Sequence, residues 1–232
     1  ERGLGQLPTR DLDVGQTVKT LARLALWMHH ESGGAGLVEE PRLLARLLAM
    51  YGDRPAGEAQ QAANRFLSDV REYAGLLLER GPKQYGFIHL TFEEYLAAVA
   101  LADEGQLGVG GVVAELAQHV DEPEWREVAL LTVGYIGHRQ RYDRAASALV
   151  EGLLNCGRGR PGLAAVLAGD AVADVWPGGV TPECKRTVTA KLLETMTDDA
   201  LIEPEIRVAA GNTLARLGDP RFRADAWFLP DE

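Results

Sequence analysis

The sequence predicts a mainly α-helical protein: a winged-helix domain with a small β-hairpin, followed by a short HEAT-like α-solenoid. Three observations lead to this fold class. Apolar residues recur at helical spacing along most of the 232 residues. A single hairpin signal stands before the fourth of these helical segments. After residue 105, short helical segments alternate with Gly and Pro, which is the punctuation of a repeat array.

The first part of the chain predicts three helices in succession. Residues 1–16 carry glycines, a proline and charges without a sustained period, which indicates a linker from an upstream region. The apolar stripe that starts at Thr17 ends before the glycine pair 33–34. The second helix has Pro41 in its first turn and Gly52 at its end, and the third runs over 59–73.

A hairpin and a fourth helix complete this predicted domain. Apolar residues at 76–78 and 85–89 flank the turn sequence RGPK, which is typical of two antiparallel strands. The fourth helix starts at Phe92, after a T-x-x-E capping box in which Thr91 and Glu94 satisfy each other's backbone N–H groups. Three helices, a hairpin and a closing helix give a winged-helix domain over residues 17–104.

The second part of the chain predicts short helices in three antiparallel pairs. PEWREVALLTVGYIG from Pro123 and PEIRVAAGNTLARLG from Pro204 share Pro, Glu, Arg, Ala, Thr and Gly at the same offsets. About two HEAT-type periods of ~40 residues separate them. We expect HEAT-like repeats over 105–222 and a tail toward a downstream domain over 223–232. The expected helices are 107–119, 124–136, 142–155, 162–174, 183–197 and 205–217.

Charge and cysteine content limit the partners. The formal net charge is -10 without a basic block, which argues against duplex DNA and anionic membranes as main partners. The two cysteines lack metal-ligand spacing and indicate a reducing, cytoplasmic environment. No apolar run is long enough to cross a bilayer.

His89 is the candidate site residue, because a titratable imidazole stands here among apolar neighbours just before a helix. One interpretation is a core histidine that bonds a backbone carbonyl. The other is a working group, since the amino end of a helix attracts anions and a phosphate could bind there.

Other polar residues are interpreted as structural. Adjacent residues on a helix point in different directions, so His29 and His30 cannot chelate one metal together, and a solvated or capping role is expected. Glu93 is expected to face water. Asp170 and Asp174 are interpreted as a solvated helix face. No catalytic residue and no metal ligand is predicted, because no nucleophile is placed beside a base.

The stretch FIHLTFEEYLAA, residues 87–98, resembles the end of the winged-helix domain in NACHT-type signalling NTPases of the STAND class, bacterial relatives of the NOD-like receptors. The resemblance implies that His89 reaches the ADP bound in the parent protein and helps to hold a closed, inactive state. The repeats are similar to the sensor arrays of bacterial defence proteins, which implies an unknown protein ligand or a downstream domain as partner, and homo-oligomerisation on activation.

The resemblance also implies a nucleotide-binding domain upstream in cis. The 232 residues contain no G-x-x-x-x-G-K-[ST] phosphate loop. We therefore expect no enzyme activity from this chain, whereas the parent would hydrolyse ATP or GTP and bind ADP or ATP with magnesium.

Two alternatives stay open: a winged-helix transcription regulator that binds DNA, and a HEAT-repeat scaffold for protein interactions. The predicted recognition helix is the third one. Its two arginines, Arg65 and Arg71, are outnumbered by three acidic residues, Glu58, Asp69 and Glu72. This charge balance is unfavourable for binding DNA phosphates, so it argues against the first alternative.

Overall fold

The computed structural model describes residues 14–34, 36–70, 75–223 and 229–230. Residues 1–13 of the predicted linker, 71–73 of the predicted third helix and most of the predicted tail lie outside these ranges. The described chain divides into two compact units between Ala100 and Leu101.

The first unit has the element order of a winged helix. The starts of its second and third helices are explained locally: Pro41 occupies the first turn of the second helix, and Pro55 precedes the third. The elements are α1 (Val14–Ser32), β1 (Leu37–Glu39), α2 (Glu40–Met50), α3 (Ala56–Asp69), β2 (Leu77–Gly81), β3 (Gln84–Phe87) and α4 (Leu90–Glu104).

The three strands form an antiparallel sheet in the order β1-β3-β2. The predicted hairpin is confirmed, since β2 and β3 pair across a two-residue turn at 82–83. Gly86 lies in the central strand opposite Leu37. A Cβ at Gly86 would lie 2.6 Å from the Gly36 carbonyl oxygen, so the close approach of β1 requires glycine there.

The core of this unit lies between the helices and the sheet. Apolar stripes at helical spacing on α1, α2 and α3 meet Leu77 of β2 and the two buried aromatic residues of β3. Burial of such side chains contributes about 1.5–3 kcal/mol each, which explains why short, weakly capped helices persist here. The central members are Leu21, Leu24, Met28, Leu43, Leu47, Phe66, Leu67, Tyr85 and Phe87.

Three local predictions for this unit were wrong. Helix α1 begins at Val14, so residues 14–16 are helical and not linker. Strand β1 was not predicted, because a three-residue edge strand carries too little pattern. Helix α4 begins at Leu90, which places Thr91 inside the first turn and not at the N-cap. The carbonyl of His89 accepts from the N–H of Phe92 at this end.

The second unit is a layered helical array. Helices α6, α8 and α10 contact one another in succession, and so do α5, α7 and α9, while consecutive helices from α6 onward also contact. This pattern is that of an α-solenoid with two layers. The helices are α5 (Gly110–Leu116), α6 (Pro123–Gly134), α7 (Asp143–Leu154), α8 (Leu163–Val175), α9 (Pro182–Thr197) and α10 (Pro204–Leu217).

The predicted fold class is confirmed: a mainly α protein, with a winged helix followed by helical repeats. The two matching sequence segments form α6 and α10, which belong to the same layer and both begin at proline. The HEAT type of the repeats and the predicted domain boundaries stay predictions. Strands β4 (Phe222–Arg223) and β5 (Leu229–Pro230) pair after the array. Among the described helices, none combines the length and apolar character needed to cross a membrane.

A buried carboxylate joins the three helices of one layer. Asp170 of α8 accepts from Arg126 of α6 at 2.8 Å, and from Thr213 and Arg216 of α10 at 2.8 and 3.1 Å. Arg216 also binds Asp174. The prediction that Asp170 faces solvent was therefore wrong, because Asp170 is only 7 % exposed.

The two arginines at equivalent repeat positions differ. Arg126 bonds the next pair of helices through Asp170. Arg207 instead donates to the carbonyl of Met196 in the neighbouring helix α9.

Candidate functional site

A groove of about 380 Å³ lies around His89 in the first unit. Its walls are the end of β3, the start of α4, the chain that leads into β1, and Arg80 of β2. The groove contains the candidate residue of the sequence analysis, and it is built from segments that the winged-helix topology brings together.

His89 is exposed, so the interpretation as a core histidine was wrong. It lies between the last residue of β3 and the first residue of α4. Its ring stacks on Phe92 with centroids 6.2 Å apart and an interplanar angle of 29°. This contact orients the imidazole and leaves its nitrogens accessible for hydrogen bonds to a ligand.

Arg80 fixes the backbone that carries His89. Its guanidinium donates to the carbonyl of Phe87 at 3.1 Å and also to the carbonyl of Ile88. These are the two residues directly before His89, so the end of β3 is tied back to β2. A guanidinium offers several N–H donors in a rigid plane, which suits two successive carbonyls. This role of Arg80 was not predicted, because Arg80 belongs to the turn sequence of the hairpin.

A buried contact between an imidazole and a carboxyl group lies below the groove. Oε1 of Glu93 is 3.3 Å from Nδ1 of His29, and both side chains have no exposed surface. The predictions that Glu93 faces water and that His29 is solvated were therefore wrong. The cause is that α1 and α4 meet at these two residues, which are 64 positions apart in the chain. His30 is exposed, as expected for a neighbour on the same helix.

The second oxygen of Glu93 faces the chain before β1. Among the described residues, Oε2 of Glu93 has no hydrogen-bond partner although it is buried. A Cβ at Gly36 would lie 3.3 Å from this oxygen, and Gly36 has φ +69°. Both the backbone conformation and the space therefore favour glycine. The N–H of Gly36 donates to the hydroxyl of Ser32, which fixes the turn at the end of α1.

Exposed apolar side chains lie near His89: Leu37 and Leu90 line the same groove, Phe92 stacks on the imidazole, and Tyr95 follows Phe92 by three residues on α4. Leu37, Leu90, Phe92 and Tyr95 are each 42–44 % exposed. Helix α4 carries apolar residues nearly all round. In the structure Leu96 is buried, whereas these two aromatic residues face outward. Several large apolar side chains exposed on one part of a domain are typical of an interaction surface.

Residues 6–101 match the family model of the winged helix-turn-helix domain C-terminal to NACHT. This part of the chain is a NACHT-associated winged-helix domain. The match ends one residue after the division between the two compact units. It confirms the resemblance that FIHLTFEEYLAA indicated. No curated protein and no solved structure matches the chain.

Within the NACHT-associated winged-helix domain, the groove combines one accessible imidazole, one bound guanidinium and one buried carboxylate. The imidazole can donate to or accept from a polar ligand. Among the described residues that line the groove, no nucleophile stands beside a base.

Proposed function

We propose that this chain is the regulatory and sensing part of a nucleotide-dependent NACHT switch. The winged helix holds the ADP-bound, closed state of a nucleotide-binding domain that precedes it in the same polypeptide. The helical repeats bind a protein ligand or a downstream domain, and their engagement releases the closed state. The parent protein binds ATP or ADP with magnesium and assembles with further copies of itself on activation.

The observation that carries this proposal is the position of His89. It is an exposed imidazole at the amino end of α4, in the part of the chain that matches the NACHT-associated family. Phosphate oxygens bind well at such a position, because the helix amino end and an N–H donor both favour negative charge. One hydrogen bond to a charged oxygen contributes about 1.5–3 kcal/mol.

The apolar rim supports docking of the winged helix on the nucleotide-binding domain. Leu37, Leu90, Phe92 and Tyr95 would be covered in the closed state, with His89 at the centre of the contact. Aromatic residues around a desolvated polar group are a common arrangement at binding hot spots. In the open state these four side chains would become available for a different partner.

The repeat array supports the sensing role. Helices that contact only near neighbours build an extended surface, and such surfaces commonly bind other proteins. The family match ends at residue 101, so the nature of the ligand rests on the array alone.

The test is ADP release from the full-length parent protein with His89→Leu. Because His89 is exposed, this change removes the hydrogen bond with little effect on the fold, and we expect ADP to leave about tenfold faster or more. His30→Leu is the matched control, since His30 is an exposed histidine of the same domain that does not line the groove.

The rate of ADP release decides between the possible roles of His89. An unchanged rate in His89→Leu, with normal melting of the variant, would refute the nucleotide contact. A rate that rises equally in His30→Leu would show a general loosening of the domain and would refute the assignment to His89.

A further inference from the structure

A second groove in the winged-helix domain has no part in the proposed switch contact. It lies between α1 and α3, and its residues are entirely different from those around His89. We propose that this groove binds a multiply phosphorylated small molecule, of the size of a nucleotide or a short phosphate chain. The proposal does not depend on the role of His89.

The walls of the groove are two parallel rows of side chains at helical spacing. On α1, Gln16, Lys19, Thr20 and Arg23 follow the i, i+3, i+4, i+7 pattern of one helix face. On α3, Ala62, Arg65, Phe66 and Asp69 follow the same pattern. The end of α2 and the turn after it form the floor, and the volume is about 520 Å³. Ligand sites of proteins commonly have this size.

The charge of the groove is opposite to that of the chain. Lys19, Arg23, Arg54 and Arg65 contribute four positive charges, and among the described residues that line the groove only Asp53 and Asp69 are negative. The whole chain, in contrast, carries a net charge of -10. Like charges that face each other across a concavity repel, which destabilises the empty groove and favours an anion inside it.

The cations of the walls are not used for ion pairs within the described residues. In that part of the chain, no salt bridge joins Lys19, Arg23 or Arg65 to a carboxylate, although Asp69 is on the same face as Arg65. Elsewhere the arginines of this protein do pair, as Arg126 and Arg216 do with Asp170. Three such cations on two facing helices can donate together to several phosphate oxygens.

The floor supplies a flat and partly apolar surface. The guanidinium of Arg54 lies 5.2 Å from the centre of the Tyr51 ring, in a cation–π contact. Burial raises the pKa of Tyr51, while the side chain of Thr20 hydrogen-bonds its hydroxyl. The phenol therefore stays uncharged at neutral pH and does not oppose an anion in the groove. Arg54 is exposed, whereas Tyr51 is half-buried. A planar group of the ligand could therefore stack on the guanidinium of Arg54.

The placement of the cations favours a compact ligand over duplex DNA. Duplex binding requires cations spread along a convex surface that follows the phosphate backbone. Here they converge from two helices and a turn into one concavity, which concentrates the positive field on a short chain of phosphates.

The experiment is calorimetric titration of the 232-residue chain with tripolyphosphate, ATP and inorganic phosphate. We expect saturable binding of tripolyphosphate and ATP, at least about tenfold tighter than that of inorganic phosphate. Arg23→Gln and Arg65→Gln should each weaken tripolyphosphate about tenfold, and Asp69→Asn should strengthen it. These side chains contact solvent, so the variants should melt like the unchanged chain.

Two controls separate this groove from other sources of phosphate binding. Arg144→Gln removes an exposed arginine of α7 outside the groove and should leave affinity within about twofold. His89→Leu should also leave it unchanged, because His89 lines the other groove.

Several results would overturn the proposal. The first is that tripolyphosphate shows no saturable binding. The second is that Arg144→Gln weakens tripolyphosphate binding as much as the groove variants do. The third is that His89→Leu loses binding whereas Arg23→Gln retains it. Competition of an arbitrary DNA duplex for the same arginines, with tighter binding than tripolyphosphate, would likewise reject it and indicate a nucleic-acid surface.

Discussion

Among the described residues, each of the two units buries one carboxyl group, and the two groups have very different hydrogen-bond partners. Asp170 in the helical array accepts from three donors on two other helices, and its partners Arg126 and Arg216 remain about half exposed. Glu93 in the winged helix has one identified ring nitrogen at 3.3 Å and a second oxygen without a hydrogen-bond partner in the described chain.

The difference separates a stabilising contact from a costly one. Removing a carboxylate from water costs several kcal/mol, which is recovered only when its oxygens are well bonded. Asp170 meets this condition, and its partners retain contact with solvent. Glu93 does not, which means that the winged helix keeps an interaction that packing alone would not favour. Replacing such a buried pair by well-packed apolar residues of similar volume is often neutral or stabilising.

The largest effect is expected from His29→Leu. This change leaves the Glu93 carboxylate buried without its partner, and we expect it to lower the free energy of unfolding of the first unit by about 3 kcal/mol. The measurement is hydrogen exchange of the α1 and α4 amides, which reports this unit separately. The double variant His29→Leu/Glu93→Leu should recover most of the loss, because it replaces the pair by apolar groups. If the double variant is as unstable as the single one, the pair itself stabilises the domain and the comparison fails.

A smaller effect is expected from Asp170→Asn, at about 2 kcal/mol in the second unit, since the amide cannot accept from three donors at once. The partners are half exposed, which limits the loss. Asp174→Asn is the matched control on the same helix. Asp174 is 43 % exposed at its side chain and binds only Arg216 among the described residues, so less than about 1 kcal/mol is expected.

Cys184 provides the measurement for this second prediction. It is buried in α9, and burial raises the pKa of its thiol to about 11, so the folded state reacts poorly with alkylating reagents. A Cys156→Ser background removes the other cysteine. Alkylation of Cys184 should be about thirtyfold faster in Asp170→Asn. Equal rates in Asp170→Asn and Asp174→Asn would contradict the role of the buried carboxylate.

The smallest effect is expected from Gly36→Ala, at about 1–2 kcal/mol. Part of this cost is the positive φ, and part is the approach of the new Cβ to Oε2 of Glu93. Gly33→Ala isolates the first part, because Gly33 has φ +55° and no neighbour within 4 Å. Thermal unfolding should therefore show a larger loss for Gly36→Ala than for Gly33→Ala. The same loss in both would mean that the unpartnered side of Glu93 has room for a methyl group.

Local signals in the sequence predicted most of the elements but not the partners of the buried charges. Helices α6, α9 and α10 begin at a proline within one residue of the predicted start, because proline fixes the first turn. His29 and Glu93 are 64 positions apart, and Arg126 and Asp170 are 44 apart. Helical periodicity predicts on which face of its helix a residue lies. It does not predict which distant helix packs against that face.

The candidate site was predicted in part. The motif identified His89 because a histidine between apolar residues is unusual before a helix. Arg80, which holds the backbone in front of His89, was interpreted only as part of a turn. The groove between α1 and α3 was missed, since its four cations come from three separate stretches of sequence, and in two of these stretches an aspartate accompanies the arginine.

The bonds of Asp170 also have a consequence for how the array unfolds. Repeats that contact only near neighbours can open one by one from an end, and the unfolding transition is then broad. Because a single carboxylate is shared by α6, α8 and α10, detachment of the terminal helix also removes donors from the middle of the array. Opening at the end is thus linked to loss of stability inside, which makes the transition steeper and suppresses partly unfolded forms with an exposed apolar face.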